Sequence, residues 1–188
     1  MHSLWKTSIR FSLLFTLILG IIYPLAMTGI AGVVFPKRAS GSLIFVKGAI
    51  LGSSLIGQRF TSDRYFHSRP SAAGNGYDAI SSGGSNLAQS NPILINRIQS
   101  EIDRLQRQNS VTSVPIDLAT ASASGLDPDI TPDAAYFQVP AVAKARGVSQ
   151  EALQRLIAHH IQGRQWGVFG EPRVNVLQLN LALDSMYK

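Results

Sequence analysis

Cysteine is absent from the 188 residues, which excludes disulfides, thiol nucleophiles and thiolate metal sites together while leaving the compartment open. Acidic side chains are also few, 11 against 17 Lys and Arg. The chain has neither a GxxxxGK[ST] phosphate loop nor a GxGxxG turn, so the two commonest nucleotide cradles are missing. His159 and His160 are adjacent and diverge on a helix, with no HExxH spacing around them; a solvated pair is expected there, and no metal site. Ser122 and Ser124 in TASASG lack the leading Gly of a nucleophile elbow. Loop hydrogen bonding is the expected work of those hydroxyls. A membrane-anchored hydrolase built on either serine lacks a paired base, so no catalytic residue is assigned.

What the chain does have is one long apolar run. From Phe11 to Phe35 no side chain is charged, with Lys6 and Arg10 before it and Lys37 and Arg38 after it. At about 1.5 Å per residue this is long enough to cross a bilayer as a helix. It exceeds the roughly 7–15-residue apolar region of a cleaved signal peptide, although Gly29 and Ala31 imitate a cleavage site. A buried soluble helix would be shorter and carry a polar stripe. Along the helix, Ser8, Ser12, Thr16, Gly20, Pro24, Thr28 and Gly32 recur every fourth residue. This row winds slowly around the axis and lets other membrane helices approach, so Ser12, Thr16 and Gly20 are candidate partner contacts. Pro24 removes a backbone donor and predicts a kink near Ile21 and Tyr23.

Beyond the anchor lie 15 basic against 11 acidic side chains. This diffuse excess is no nucleic-acid footprint, so no nucleic acid is expected. Positive charges flank the anchor almost equally, and the charge rule for membrane orientation does not choose a side. The expected organisation is a short N-terminus at 1–10, a transmembrane helix at 11–35 and one mixed α+β domain at 36–188. In that domain, Leu43–Val46 and Ser54–Gln58 read as a hairpin around Lys47-Gly48. Residues 61–90 form a long Gly-, Ser- and Asn-rich loop, pinned to a core by Tyr65, Phe66, Tyr77 and Ile80. Asn91-Pro92 opens a helix with Ile93, Leu94, Ile98, Ile102 and Leu105 on its apolar stripe. Val114–Leu118 reads as a short strand. Thr131-Pro132 caps a helix to about Ala145 that Pro140 interrupts, and Ser149 caps another over Gln150–Gln162. Arg173–Leu183 alternates like a strand, with a later half that is equally compatible with helix.

The polar residues Gln58, Arg59, Tyr65, His67, Arg69, Ser85 and Asn86 form the best binding candidate. Arginines there suit phosphate or carboxylate, and Tyr65 or Phe66 suits stacking on a base. The alternative is that the same side chains staple the loop to itself.

The motifs LIGQ (Leu55–Gln58), YFHSRPSA (Tyr65–Ala72), SGGSNLAQSNP (Ser82–Pro92), VPIDLATASASGLDPDITP (Val114–Pro132), QVPAVAKARGVS (Gln138–Ser149) and VNVLQLNLALD (Val174–Asp184) follow the apolar run with its Tyr23-Pro24 in order. In this the chain closely resembles the C subunit of the bacterial Kdp potassium-transporting ATPase. The resemblance covers essentially the whole chain. It implies an accessory, non-catalytic subunit of an inner-membrane complex whose substrate is potassium. The implied partners are a channel-like potassium-binding subunit, an ATP-hydrolysing P-type subunit and a small stabilising subunit. It also implies a cytoplasmic N-terminus and an extracytoplasmic domain against the channel-like subunit. A further implied role is a chaperone that raises ATP affinity, with Gln58, and beside it Arg59, at the nucleotide. ATP would then be bound mainly by the P-type partner. The two implications conflict, because ATP is cytoplasmic and a domain beyond an N-in anchor is not. Ala141 departs from the family, standing where an Arg commonly follows QVP or QIP.

Overall fold

The structure, a computed structural model, describes residues 2–109 and 113–187. It divides between Ser53 and Ser54 into two units.

The first unit begins with helix α1 (His2–Leu17), a widened π turn (Ile18–Ile22) and helix α2 (Tyr23–Val34). Leu4–Val34 is predominantly apolar, 31 residues whose most apolar 18-residue stretch has mean hydropathy 2.1; at about 1.5 Å each they are more than long enough for a bilayer's hydrocarbon. The helix therefore starts ahead of the uncharged run. Pro24 leaves the carbonyl of Gly20 without its usual helical donor, and the chain widens so that Tyr23 N–H reaches the Ile18 carbonyl instead. The irregularity expected at Ile21 and Tyr23 takes this form. Thr16 and Gly20 share a face, the Thr16 methyl lying 3.9 Å from where a Gly20 side chain would begin.

Phe35, at φ −131° and ψ 56°, stops the helix, and α3 (Pro36–Ala39) makes one further turn. Strands β1 (Leu43–Val46) and β2 (Ala49–Ser53) then form an antiparallel hairpin. The second strand is Ala49–Ser53 and not Ser54–Gln58. Lys47 and Gly48 both have positive φ, 51° and 82°, which closes a two-residue turn and pairs Val46 directly with Ala49.

In the second unit, residues 54–91 carry only one short turn of 3₁₀ helix at Ala79–Ser81, capped by Asp78. Asn91 Oδ1 accepts the Ile93 N–H at 2.9 Å and starts α4 (Pro92–Asn109). Its stripe is only partly covered: Leu105 is buried, Leu94, Ile98 and Ile102 are half-buried, and Ile93 is exposed. The expected strand at Val114–Leu118 is instead a helical turn, α5 (Ile116–Ala119), which buries consecutive Leu118 and Ala119 as no strand alternation does.

After β3 (Asp129–Ile130) come α6 (Pro132–Arg146), capped by Thr131 and closed by Gly147 at φ 69°, and α7 (Gln150–His160), capped by Ser149. Pro140 does not interrupt α6. It and Tyr136, whose carbonyl loses its donor, are exposed, so solvent can take the missing bond. Ile161–Gln162, expected to end α7, is β4. Strand β5 (Arg173–Asn175) lies centrally between β3 and β4, antiparallel to both. At Val176 the chain turns helical as α8 (Val176–Met186), with Asn175 Oδ1 accepting the Gln178 N–H at 3.1 Å. The strand reading of 173–183 thus holds for three residues and the helical alternative for the rest.

The core lies where α6, α7 and α8 meet this small sheet, around Val139, Leu153, Ile157, Val174, Leu179 and Leu183. Each such side chain contributes about 1.5–3 kcal/mol by leaving water. One loop residue, Phe66, is fully buried with them.

Candidate functional site

Phe66 brings the long loop onto the core, and two amide side chains hold it there. Asn180 of α8 accepts the Phe66 N–H at 2.9 Å and donates to the Phe66 carbonyl at 2.9 Å. Gln138 of α6 does the same for the next residue, accepting His67 N–H at 2.8 Å and donating to His67 O at 3.1 Å and Ala134 O at 3.1 Å. Asn180 and Gln138 are 2% and 5% exposed. A buried peptide group without partners is costly, so these carboxamides substitute for the strand that the loop lacks.

The flanking residue Tyr65 is fastened separately. Its hydroxyl donates to Asp184 Oδ2 at 3.0 Å, and the Arg146 guanidinium stacks 4.8 Å from its ring centroid. That guanidinium also pairs with Asp184 Oδ1 at 2.6 Å and donates to the carbonyls of Arg64 and Tyr187. Arg146 is 3% exposed at its side chain, a buried cation whose donors meet carbonyls and a carboxylate.

The sequence candidates are distributed along this braced loop and do not converge on one point. Arg69 donates at 3.3–3.5 Å to the Thr120 hydroxyl, the Thr120 and Ala121 carbonyls and Asp127. Arg59 donates to the Asn75 carbonyl at 2.6 Å and the Gly76 carbonyl at 3.4 Å. Gly76, at φ 95°, leaves room for that guanidinium where any Cβ would collide with it. Both arginines staple the loop. Phe66 is fully buried, so stacking on a base is closed to it. Gln58 is half-buried and Asn86 is exposed at φ 51°, with half-buried Ser85 beside it. Ile80, expected to pin the loop, is 96% exposed. Tyr77 pins it instead, donating to Arg69 O at 2.7 Å and lying 3.1 Å from Ser68 Oγ. Burial raises the Tyr77 phenol above its usual range.

His67 lines a hollow of about 190 Å³ with Asp63, Tyr77, Glu101, Arg104 and Ala141. Burial holds its imidazole below 6.5; the bond to the Phe60 backbone opposes this, the Arg104 cation adds to it and the Asp63 carboxylate opposes it. Ser124 Oγ accepts the Leu126 N–H at 3.1 Å and lies 3.5 Å from Ser122 Oγ. These hydroxyls do the loop bonding expected of them. The rings of His159 and His160 each lie within 2.8 Å of the carbonyl one turn back in α7.

Asn180, Gln138 and Arg146 are the residues that sequence reasoning passed over. Their signal was available: Asn180 stands among Leu177, Leu179, Leu181 and Leu183, and Gln138 beside Val139. An amide on a buried apolar helix face must be bonding something.

The family described as "KdpC: K+-transporting ATPase, c chain" matches residues 5–185. A protein of Rhodopseudomonas palustris (strain BisB18) named "Potassium-transporting ATPase KdpC subunit" is 53% identical over 192 residues, covering 96% of each chain. One of the same name from Acidobacterium capsulatum is 54% identical over 182 residues, 97% of this chain and 98% of its own. A third, from Bradyrhizobium diazoefficiens, is 52% identical over 191 residues and 95% of each.

Proposed function

The chain belongs to the KdpC family of potassium-transporting ATPase c chains, and from that membership we propose that it is an accessory, non-catalytic subunit that acts by contact. Its apolar helix docks against membrane helices of the channel-like and P-type subunits through Ser12, Thr16 and Gly20. Its α+β domain stands outside the bacterial inner membrane, with the N-terminus in the cytoplasm, over the mouth of the potassium pathway. The braced loop is the contact surface, presenting Asn86 with half-buried Tyr65, His67 and Ser85.

The observation that carries this reading is the commitment of the loop's polar groups to its own framework. Arg69 and Arg59 bond carbonyls of the domain, and Phe66 and His67 are bracketed by Asn180 and Gln138. A loop held in this way is preorganised, which lowers the ordering cost of docking. Arg59 Nη2 is already donating to the Asn75 and Gly76 carbonyls, which takes part of the guanidinium fork away from a phosphate ligand. This favours contact over the chaperone reading in which Gln58 and Arg59 hold ATP.

The test removes residues 54–188 while keeping the anchor and hairpin. High-affinity potassium uptake should be lost even where the retained helix still co-purifies with the other subunits; full uptake by the truncated form would end the proposal.

A further inference from the structure

The hairpin that follows the membrane helix has no polar face. Side chains of a two-stranded ribbon alternate between its two sides, yet Leu43–Val46 and Ala49–Leu51 are apolar at every position. Phe45 and Ile50, cross-strand partners, are 61% and 62% exposed, and Val46 is 39% exposed. A lone hairpin is marginal in water, and one with two apolar faces calls for an apolar surrounding.

The fold places this hairpin beside the end of the membrane helix. Only residues 35–42 separate Val34 from Leu43, four of them wound into α3. The turn is fixed by Gly41 N–H to Arg38 O at 3.0 Å and Ser42 N–H to Lys37 O at 2.9 Å. Ser53 Oγ donates to Gly41 O at 2.7 Å and ties the far strand back to it. Between turn and hairpin lies an open hollow of about 670 Å³, lined by Pro36, Leu43, Ile44 and Phe45 with Lys37 and Ser40.

Charge selects the occupant. The unit up to Ser53 contains Lys6, Arg10, Lys37, Arg38 and Lys47 and no Asp or Glu. Lys37 lines the hollow, Arg38 follows it on α3 with its guanidinium 6.0 Å from the Phe35 ring, and Lys47 stands at the hairpin's tip. Apolar side chains rimmed by cations and covalently continuous with a membrane span match the boundary between acyl chains and anionic headgroups.

We propose that the α3 turn and the β1–β2 hairpin form a lipid-binding foot. Phe45, Val46 and Ile50 enter the acyl boundary of the leaflet where the helix ends. An anionic phospholipid occupies the hollow, with its phosphate on Lys37 at the rim. The foot fixes the depth and rotation of the membrane helix independently of any other subunit.

The sequence supplies the probe, because Trp5 and Trp166 are its only tryptophans. The full chain carrying Trp5→Phe, Trp166→Phe and Phe45→Trp is placed in lipid nanodiscs, with Ile50→Trp made in parallel. Lipids brominated on their acyl chains should quench more than half of the emission from position 45, and aqueous iodide should quench little. In nanodiscs mixing the two lipids, the mole fraction giving half-maximal quenching should favour brominated phosphatidylglycerol over brominated phosphatidylcholine by roughly five-fold, the worth of one engaged cation, and Lys37→Gln should abolish that preference. Emission at both positions that iodide quenches and brominated lipid does not overturns the foot. Shielding that arises only in the assembled complex, without quenching by brominated lipid, overturns it in favour of a protein partner. Equal quenching by the two lipids removes the anionic site.

Discussion

Asn180 is the single side chain on which the position of the loop most depends. Its amide completes both backbone groups of Phe66 inside the core, at 2% exposure. Asn180→Ala leaves a buried N–H and a buried carbonyl without partners, each worth about 1–3 kcal/mol. Thermal unfolding of the full chain should register a loss of about 2–6 kcal/mol, and protection of the Phe66 amide against hydrogen exchange should vanish with it. His67, one residue on, makes the domain sensitive to acid. Because burial lowers its folded-state value below 6.5, the unfolded chain takes up a proton first as the pH falls. Its contribution is therefore complete above 6.5 and is lost as the pH drops from there through the lower folded value. Comparing the unfolding midpoint of the wild type with that of His67→Gln across this window should show the wild type alone losing stability.

At the scale of elements, glycines separate turns that are merely left-handed from turns that are also crowded. Gly147 closes α6 at φ 69° with nothing within 4 Å of where a Cβ would stand, whereas at Gly125, φ 67°, a Cβ would fall 2.6 Å from Gly83 O and 2.7 Å from Ala73 N. Gly147→Ala should cost only about 1 kcal/mol for the backbone conformation, and Gly125→Ala at least twice that, since the 73–84 segment must also move. Denaturant melts of the two variants check the ratio. The elements that were legible in the sequence are those with local signals: the apolar span, the caps Asn91, Thr131 and Ser149, and the Lys47-Gly48 turn. Those misread were decided at longer range. Ile116–Ala119 became helical because Leu118 and Ala119 are both buried, and β5 stops at Asn175 because its side chain caps α8. In the same way Arg59 and Arg69 looked like ligand-binding groups, while the carbonyls that occupy them lie 16 and more than 50 residues away in sequence.

At the scale of the whole molecule, an apolar helix is joined to a domain whose polar candidates largely bond to the domain itself. Family membership supplies the larger assembly in which such a body works. The central claim is that this subunit contributes contact and not nucleotide handling. Its most direct test is a titration of the full chain in detergent with a fluorescent ATP analogue, wild type beside Gln58→Ala. The account predicts weak, non-saturating and indistinguishable curves for the two. Saturable binding at cellular ATP concentrations that Gln58→Ala abolishes would contradict it.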